Sequence, residues 1–157
     1  MAALPSFITT ARRPMQKDGE FIAMMASLMA IGALAIDMML PAIGTIADDL
    51  RVTTANDRQL MVSVYLIASA PGALIFGPLT DRFGRRPMLF LILALFGITG
   101  IASSYPPSYD ALLVARGVQG FISAGFSVVA TSIVRDRYSG DTMARIMSTV
   151  FIVFMIL

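Results

Sequence analysis

Five long apolar stretches alternate with short charged segments along the chain. Residues 21–46 run apolar for 26 positions, broken by Asp37 and Pro41, while 60–78 (19 residues) and 88–105 (18 residues) carry no charge. Residues 111–134 hold one charge, Arg116, in 24 positions, and 146–157 is apolar to its last residue. About 20 mostly apolar residues, rising ~1.5 Å each, carry a helix across the hydrocarbon layer. The first four stretches are therefore predicted spanning helices and the fifth an incomplete one. Runs this long lack the alternation of a barrel strand, so helix is the expected form. A soluble helical bundle is the alternative, but four successive helices without a polar face would leave it no wettable exterior. The pattern predicts an all-α polytopic membrane protein, with 1–20 outside the bilayer and helices over 21–46, 60–78, 88–105, 111–134 and 146–157.

Composition sharpens this. The chain is 57% hydrophobic and 14% charged, against about 25% charged residues in soluble domains. It has no Cys and no His, which excludes disulfides, Cys/His zinc sites and His- or Cys-based triads. Its net charge of +2 does not point to nucleic acid, because the basic residues form short clusters with no interleaved aromatics. The start is no secretory signal, since Arg12, Arg13 and Lys17 follow rather than precede the mildly apolar opening. The clusters are asymmetric. Arg12, Arg13, Lys17, Arg82, Arg85, Arg86, Arg135, Arg137 and Arg145 fall on one side of the predicted spans, and only Arg51 and Arg58 on the other. The positive-inside rule makes the first side cytoplasmic, with the N-terminus inside.

The spans end on readable punctuation. Pro106-Pro107 stops the third helix, Ser108 or Asp110 can cap the fourth, and Ser139-Gly140-Asp141 breaks the chain before the fifth, where Asp141 can cap. Within the fourth span Arg116, Gln119, Gly120, Ser123, Ser127 and Thr131 share one helical face of small and polar residues. An Arg there either snorkels to the outer interface or faces protein and a wet cavity. Asp37 likewise either ends a shorter helix at Ile36 or lies within the membrane, and the apolar run Met38–Ile46 beyond it favours the second. Pro41 loosens the backbone ladder just past it. Counted from the cytoplasmic ends, Asp37 and Arg116 lie about 24 and 27 Å deep. Their matching depth predicts electrostatic coupling, directly or through water. Ser69, Ala73 and Gly77 form a small-residue ladder expected to pack against another helix. The methionines are expected mostly as core filling, with a pocket-lining role as the alternative.

Between the second and third spans lies Gly77-Pro-Leu-Thr-Asp81-Arg82-Phe-Gly84-Arg85-Arg86-Pro-Met-Leu89. An ordinary positive-inside loop explains its charge but not its ordered Gly–Asp–Gly–Arg–Arg spacing. The segment resembles the signature loop of the major facilitator superfamily at every defining position. Leu112-x-x-x-Arg116-x-x-Gln119-Gly120 looks like the fourth-helix motif of the superfamily's proton-coupled antiporters, with Ile122 where the family usually has Gly. The run Ile36-Asp37-Met-Met-Leu-Pro41 through Asp48-Asp49-Leu50 resembles the first helix of the Bcr/CflA drug-resistance subfamily.

The resemblance covers about 37–157 and implies the N-terminal four to five helices of a twelve-helix fold, hence a fragment whose missing C-terminal helices are its natural partner. It implies gating roles for Gly77, Asp81, Arg82, Gly84, Arg85 and Arg86, with Asp136 as a partner for one arginine. It implies a proton-coupling and substrate cavity at Asp37, Arg116, Gln119 and Ser123. In the inverted-repeat scheme the first and fourth helices, which hold the two charges inside the spans, are equivalents. The expected function is efflux of small, mostly apolar or cationic drugs across the cytoplasmic membrane in exchange for protons, with no other cofactor, no metal, no nucleic-acid partner and no enzymatic activity. The alternatives are a facilitator for a sugar or metabolite, or a non-transporting remnant.

Overall fold

The computed structural model describes residues 15–50 and 55–156, with the side chains of 15–17, 55 and 58 excepted. Arg12, Arg13 and Arg51 of the charge asymmetry, most of segment 1–20, and Leu157 lie outside the described residues, as do the side chains of Lys17 and Arg58. The elements are helices α1 (Met15–Asp37), α2 (Ile43–Asp49), α3 (Ala55–Phe83), α4 (Arg85–Ser104), α5 (Tyr109–Arg137) and α6 (Gly140–Ile156), with a 3₁₀ turn at Leu40–Ala42. No strand occurs among the described residues. Four segments are long and apolar enough to cross a membrane: Asp18–Asp49, Gln59–Phe83, Arg85–Ser104 and Tyr109–Arg137.

The first apolar stretch is two helices rather than one. Pro41 has no N–H to give and its ring crowds the carbonyl four residues back. The ladder accordingly closes with Met38 N donating to Leu34 O (2.9 Å) and Met39 N to Ile36 O (3.0 Å). The break turns Met39 inward, where it is 4% exposed and packs with Met61 and Leu112 in a small core at one end of the bundle. The other boundaries also run past the apolar stretches. Helix α3 continues through Thr80 and Asp81 to Phe83, so a single residue, Gly84, separates it from α4. Ser108 caps α5 by accepting from Ala111 N at 3.2 Å. Asp141 lies inside the first turn of α6 rather than capping it.

Helix α5 is the hub, packing against α1, α3, α4 and α6. Its partners converge on a core that includes Met25, Phe76, Ile92, Phe126, Val129 and Val150. It meets α3 most closely at two glycines. A Cβ on Gly120 would lie 2.1 Å from the Tyr65 carbonyl oxygen, and one on Gly72 would lie 2.2 Å from that of Phe121. The ladder Ser69–Ala73–Gly77 does not make this contact. Ala73 is exposed, and a Cβ on Gly77 would meet nothing within 4 Å. The true packing face of α3 carries Met61, Tyr65, Gly72, Phe76 and Thr80.

Candidate functional site

Two polar assemblies stand out against the apolar helices, one at an end of the bundle and one inside it. At the end, Gly84 has φ +90° and ψ 157°, backbone that a side chain rarely tolerates. It reverses the chain so that α4 begins beside the last turn of α3. Gly84 N donates to Thr80 O at 3.0 Å, and Arg85 Nη1 donates to the same oxygen at 3.2 Å. Arg85 then spans to α5. Its Nη2 donates to Asp136 Oδ1 at 3.0 Å, while Nε lies 2.6 Å from Oδ2 without the alignment of a hydrogen bond. Asp81 Oδ1 sits 3.2 Å from Arg85 Nη2. Arg82 and Arg86 are exposed, Arg82 lying against the Phe83 ring with its guanidinium 5.6 Å from the ring centre. Of the three arginines, only Arg85 therefore turns onto α5. Gly77, Asp81, Arg85 and Asp136 border a cavity of about 600 Å³ shared with Ser127 and Thr131.

The side chains of Arg85 and Asp136 are 28% and 53% exposed. An ion pair this wet contributes about 0–1 kcal/mol. On the transport role that the sequence resemblance implies, Asp136→Asn in the full-length protein is expected to slow transport about fivefold, the population shift that ~1 kcal/mol produces, with substrate affinity unchanged. Asp81→Asn should act in the same direction. Parallel uptake and equilibrium-binding measurements decide this, and lost affinity with a normal transport rate would refute a gating role.

Inside the bundle, Arg116 is half-buried on α5, with Nη1 donating to Gln119 Oε1 at 3.0 Å. Tyr65, 4% exposed on α3, borders the same small void as Arg116. Its hydroxyl donates to Gly32 O on α1 at 2.8 Å. Gln119 and Ser123 are buried, and Ser123 Oγ donates to Gly120 O at 2.7 Å. The Tyr65–Gly32 bond thus ties α3 to α1 beside the guanidinium on α5. Asp37 is not part of this assembly. It is exposed at the end of α1, forms no ion pair with Arg116 among the described residues, and borders none of the cavities that Arg116 lines.

Two features escaped the sequence reading. Tyr65 stands in an apolar run with nothing to mark its partner on α1. A tether also joins the start of α1 to the end of α5: Tyr138 Oη donates to Asp18 Oδ1 at 2.6 Å, and the Arg137 guanidinium sits 4.7 Å from the centre of the Phe21 ring. Its members are about 120 residues apart in sequence, so no local pattern links them. Together with the Arg85–Asp136 pair, it gathers the start of α1, the α3–α4 turn and the α5–α6 turn at one end of the bundle. Tyr109 Oη donates to Asp57 O at the other end.

Comparison with known proteins extends this geometry. A profile described as Major Facilitator Superfamily matches residues 21–157. An uncharacterized MFS-type transporter of Bacillus subtilis, YdgK, is 33% identical over 141 residues, covering 89% of this chain and 35% of the relative. A bicyclomycin resistance protein homolog of Haemophilus influenzae is 32% identical over 136 residues, covering 87% of this chain and 34% of the relative. A chloramphenicol resistance protein of Pseudomonas aeruginosa is 34% identical over 110 residues, covering 70% of this chain and 26% of the relative. The chain spans between about a quarter and a third of the length of these relatives. No solved structure matches it.

Proposed function

Because the chain belongs to the Major Facilitator Superfamily, we propose that it is part of a proton-coupled exporter of small drug-like compounds. The family is one of membrane transporters, and relatives named for bicyclomycin, chloramphenicol and multidrug resistance support a drug-like substrate. The observation that carries the reading is Arg116. This guanidinium is held inside a membrane span by Gln119, and it opens on an apolar cavity lined by α1, α4 and α5. Asp37, the acidic residue within the first apolar stretch, is the proton carrier in this reading, and the Asp81–Arg85–Asp136 cluster is the exchangeable gate. The protein is multi-pass. We place it in the cytoplasmic membrane with the α3–α4 and α5–α6 turns inside, as the bias of Arg82, Arg85, Arg86, Arg135, Arg137 and Arg145 supports.

The test uses the full reading frame in inside-out vesicles acidified by respiration, with a pH-reporting dye. Adding bicyclomycin or chloramphenicol should draw protons out of the lumen as drug moves in, and the dye should dequench. Drug accumulation without a proton signal would reject the coupling. Accumulation of a sugar instead of either drug would move the protein to another branch of the family.

A further inference from the structure

Arg116 is a membrane-embedded charge without a counter-charge among the described residues. One of its donors is satisfied by Gln119. Its Nε is buried without a hydrogen-bond partner and closed to any ligand, so the donors that can face the space beside it are those of the Nη groups, and no carboxylate lies within ion-pair distance among the described residues. The Tyr65 hydroxyl proton is already given to Gly32 O. An uncompensated guanidinium in low dielectric is costly, so its free donors define what the space beside it will accept.

That space is a cavity of about 430 Å³ in which Leu34, Met38, Met39 and Phe96 provide apolar wall, and Arg116 and Gln119 the polar end. The volume is that of a small-molecule site. Among the described residues Arg116 is the only charged one on its lining. Asp37 precedes Met38 in sequence but does not reach the cavity. Asp49 stands at the mouth of a separate outer cavity that also touches Arg116.

We propose that this cavity selects amphipathic organic anions over cations. A carboxylate, or another strong acceptor group, docks on the free donors of Arg116, and the apolar body lies against Met38, Met39 and Phe96. The guanidinium fork matches a carboxylate and forms charge-assisted hydrogen bonds. Thioethers mould to varied apolar shapes. A cationic drug would bring like charge into a poorly screened site. The resemblance to drug:proton antiporters admits cationic drugs, and the charge of this cavity argues against them. The proposal rests on the export reading for the direction of transport but not for the binding preference, so the two are measured separately.

The experiment compares three probes with one apolar body: 2-naphthylacetate, 2-naphthylacetamide and (2-naphthylmethyl)trimethylammonium. Each is titrated calorimetrically into the full-length protein in lipid nanodiscs. The acetate should bind at least about tenfold more tightly than the ammonium, as expected for one charge-assisted bidentate contact, with the amide between them. Arg116→Gln should remove that advantage. Met38→Asp places a carboxylate at the rim of the cavity, 74% exposed. It should reverse the order in favour of the ammonium, and it keeps the proposal testable if Arg116→Gln fails to fold. Ammonium binding as tight as acetate in the wild type, or an order unmoved by Met38→Asp, overturns the proposal. An intact anion preference in a protein that moves no drug would sustain it while sinking the export reading.

Discussion

Replacing Gly120 by alanine is expected to remove most of the folded protein from the membrane. The new Cβ would sit 2.1 Å from the carbonyl oxygen of Tyr65 and 2.8 Å from its carbonyl carbon and Cα. These are backbone atoms of another helix, and no rotamer moves them. Relief requires α3 and α5 to part by about 1 Å, given carbon–oxygen contacts near ~3.3 Å. Parting them breaks more than one contact. The same crossing seats the Tyr65 hydroxyl against Gly32 O on α1, and α5 is the helix that most of the others pack against. Overpacking of this kind costs about 1–3 kcal/mol where side chains can yield, and more where they cannot. Alanine returns at most about 1 kcal/mol of helix propensity. Gly125→Ala should be milder, because its nearest obstacle, 2.6 Å away, is the flexible tip of Ile92. Gly44→Ala meets nothing within 4 Å and should be silent. Yield and thermal stability of the purified full-length variants rank the three. A Gly120→Ala protein that melts like wild type would mean the helices do not approach this closely.

The contrast between Gly120 and the ladder at Ser69, Ala73 and Gly77 shows what the sequence could and could not say. Spanning helices were legible because their length and apolarity are demanded by the bilayer. Which face of each helix packs was not, because lipid tails are as apolar as a protein core and the hydrophobic pattern carries no in–out signal. Small residues are the remaining clue, and α3 offers two sets of them. Only the fold shows that Gly72, not Gly77, lies at the crossing. The gating segment was legible in identity but not in shape. Its charges were read as a loop, whereas Thr80 through Phe83 complete α3 and Gly84 alone makes the turn. Proposing Asp136 as a partner for an arginine needed only helix ends on the same side of the membrane; which arginine needed the turn. The polar face of α5 divides in the structure. Gln119, Gly120 and Ser123 are buried among helices, while Ser127 and Thr131 border the cavity at the gate. Depth counting set Asp37 and Arg116 at one level but assumed an unbroken first helix. The break after Asp37 redirects the chain toward α2, so equal depth did not become contact.

Substituting asparagine for Asp37 is expected to abolish drug-dependent proton movement while leaving insertion and drug binding intact. A charged side chain deep in a span costs about 2.5–3.5 kcal/mol on insertion scales, so an acid kept there calls for a function, and asparagine is the more easily inserted residue. Because Asp37 does not touch Arg116, the two act on different species in the proposed cycle. Arg116 holds the drug and Asp37 carries the proton. The link between them is the break itself. Met38 and Met39 line the cavity beside Arg116, and Asp37 is the last residue of the helix that ends there. A drug seated against the two methionines displaces a segment tied by few backbone bonds, and this changes the surroundings of the neighbouring carboxylate. Coupling of this kind requires a titrating group at position 37 but no direct ion pair. Asp37→Glu should therefore retain part of the proton signal, and Asp37→Asn none of it. In the acidified-vesicle assay, dequenching by drug that persists in Asp37→Asn would place the proton carrier elsewhere. Lost drug binding in the same variant would make Asp37 a part of the drug site instead.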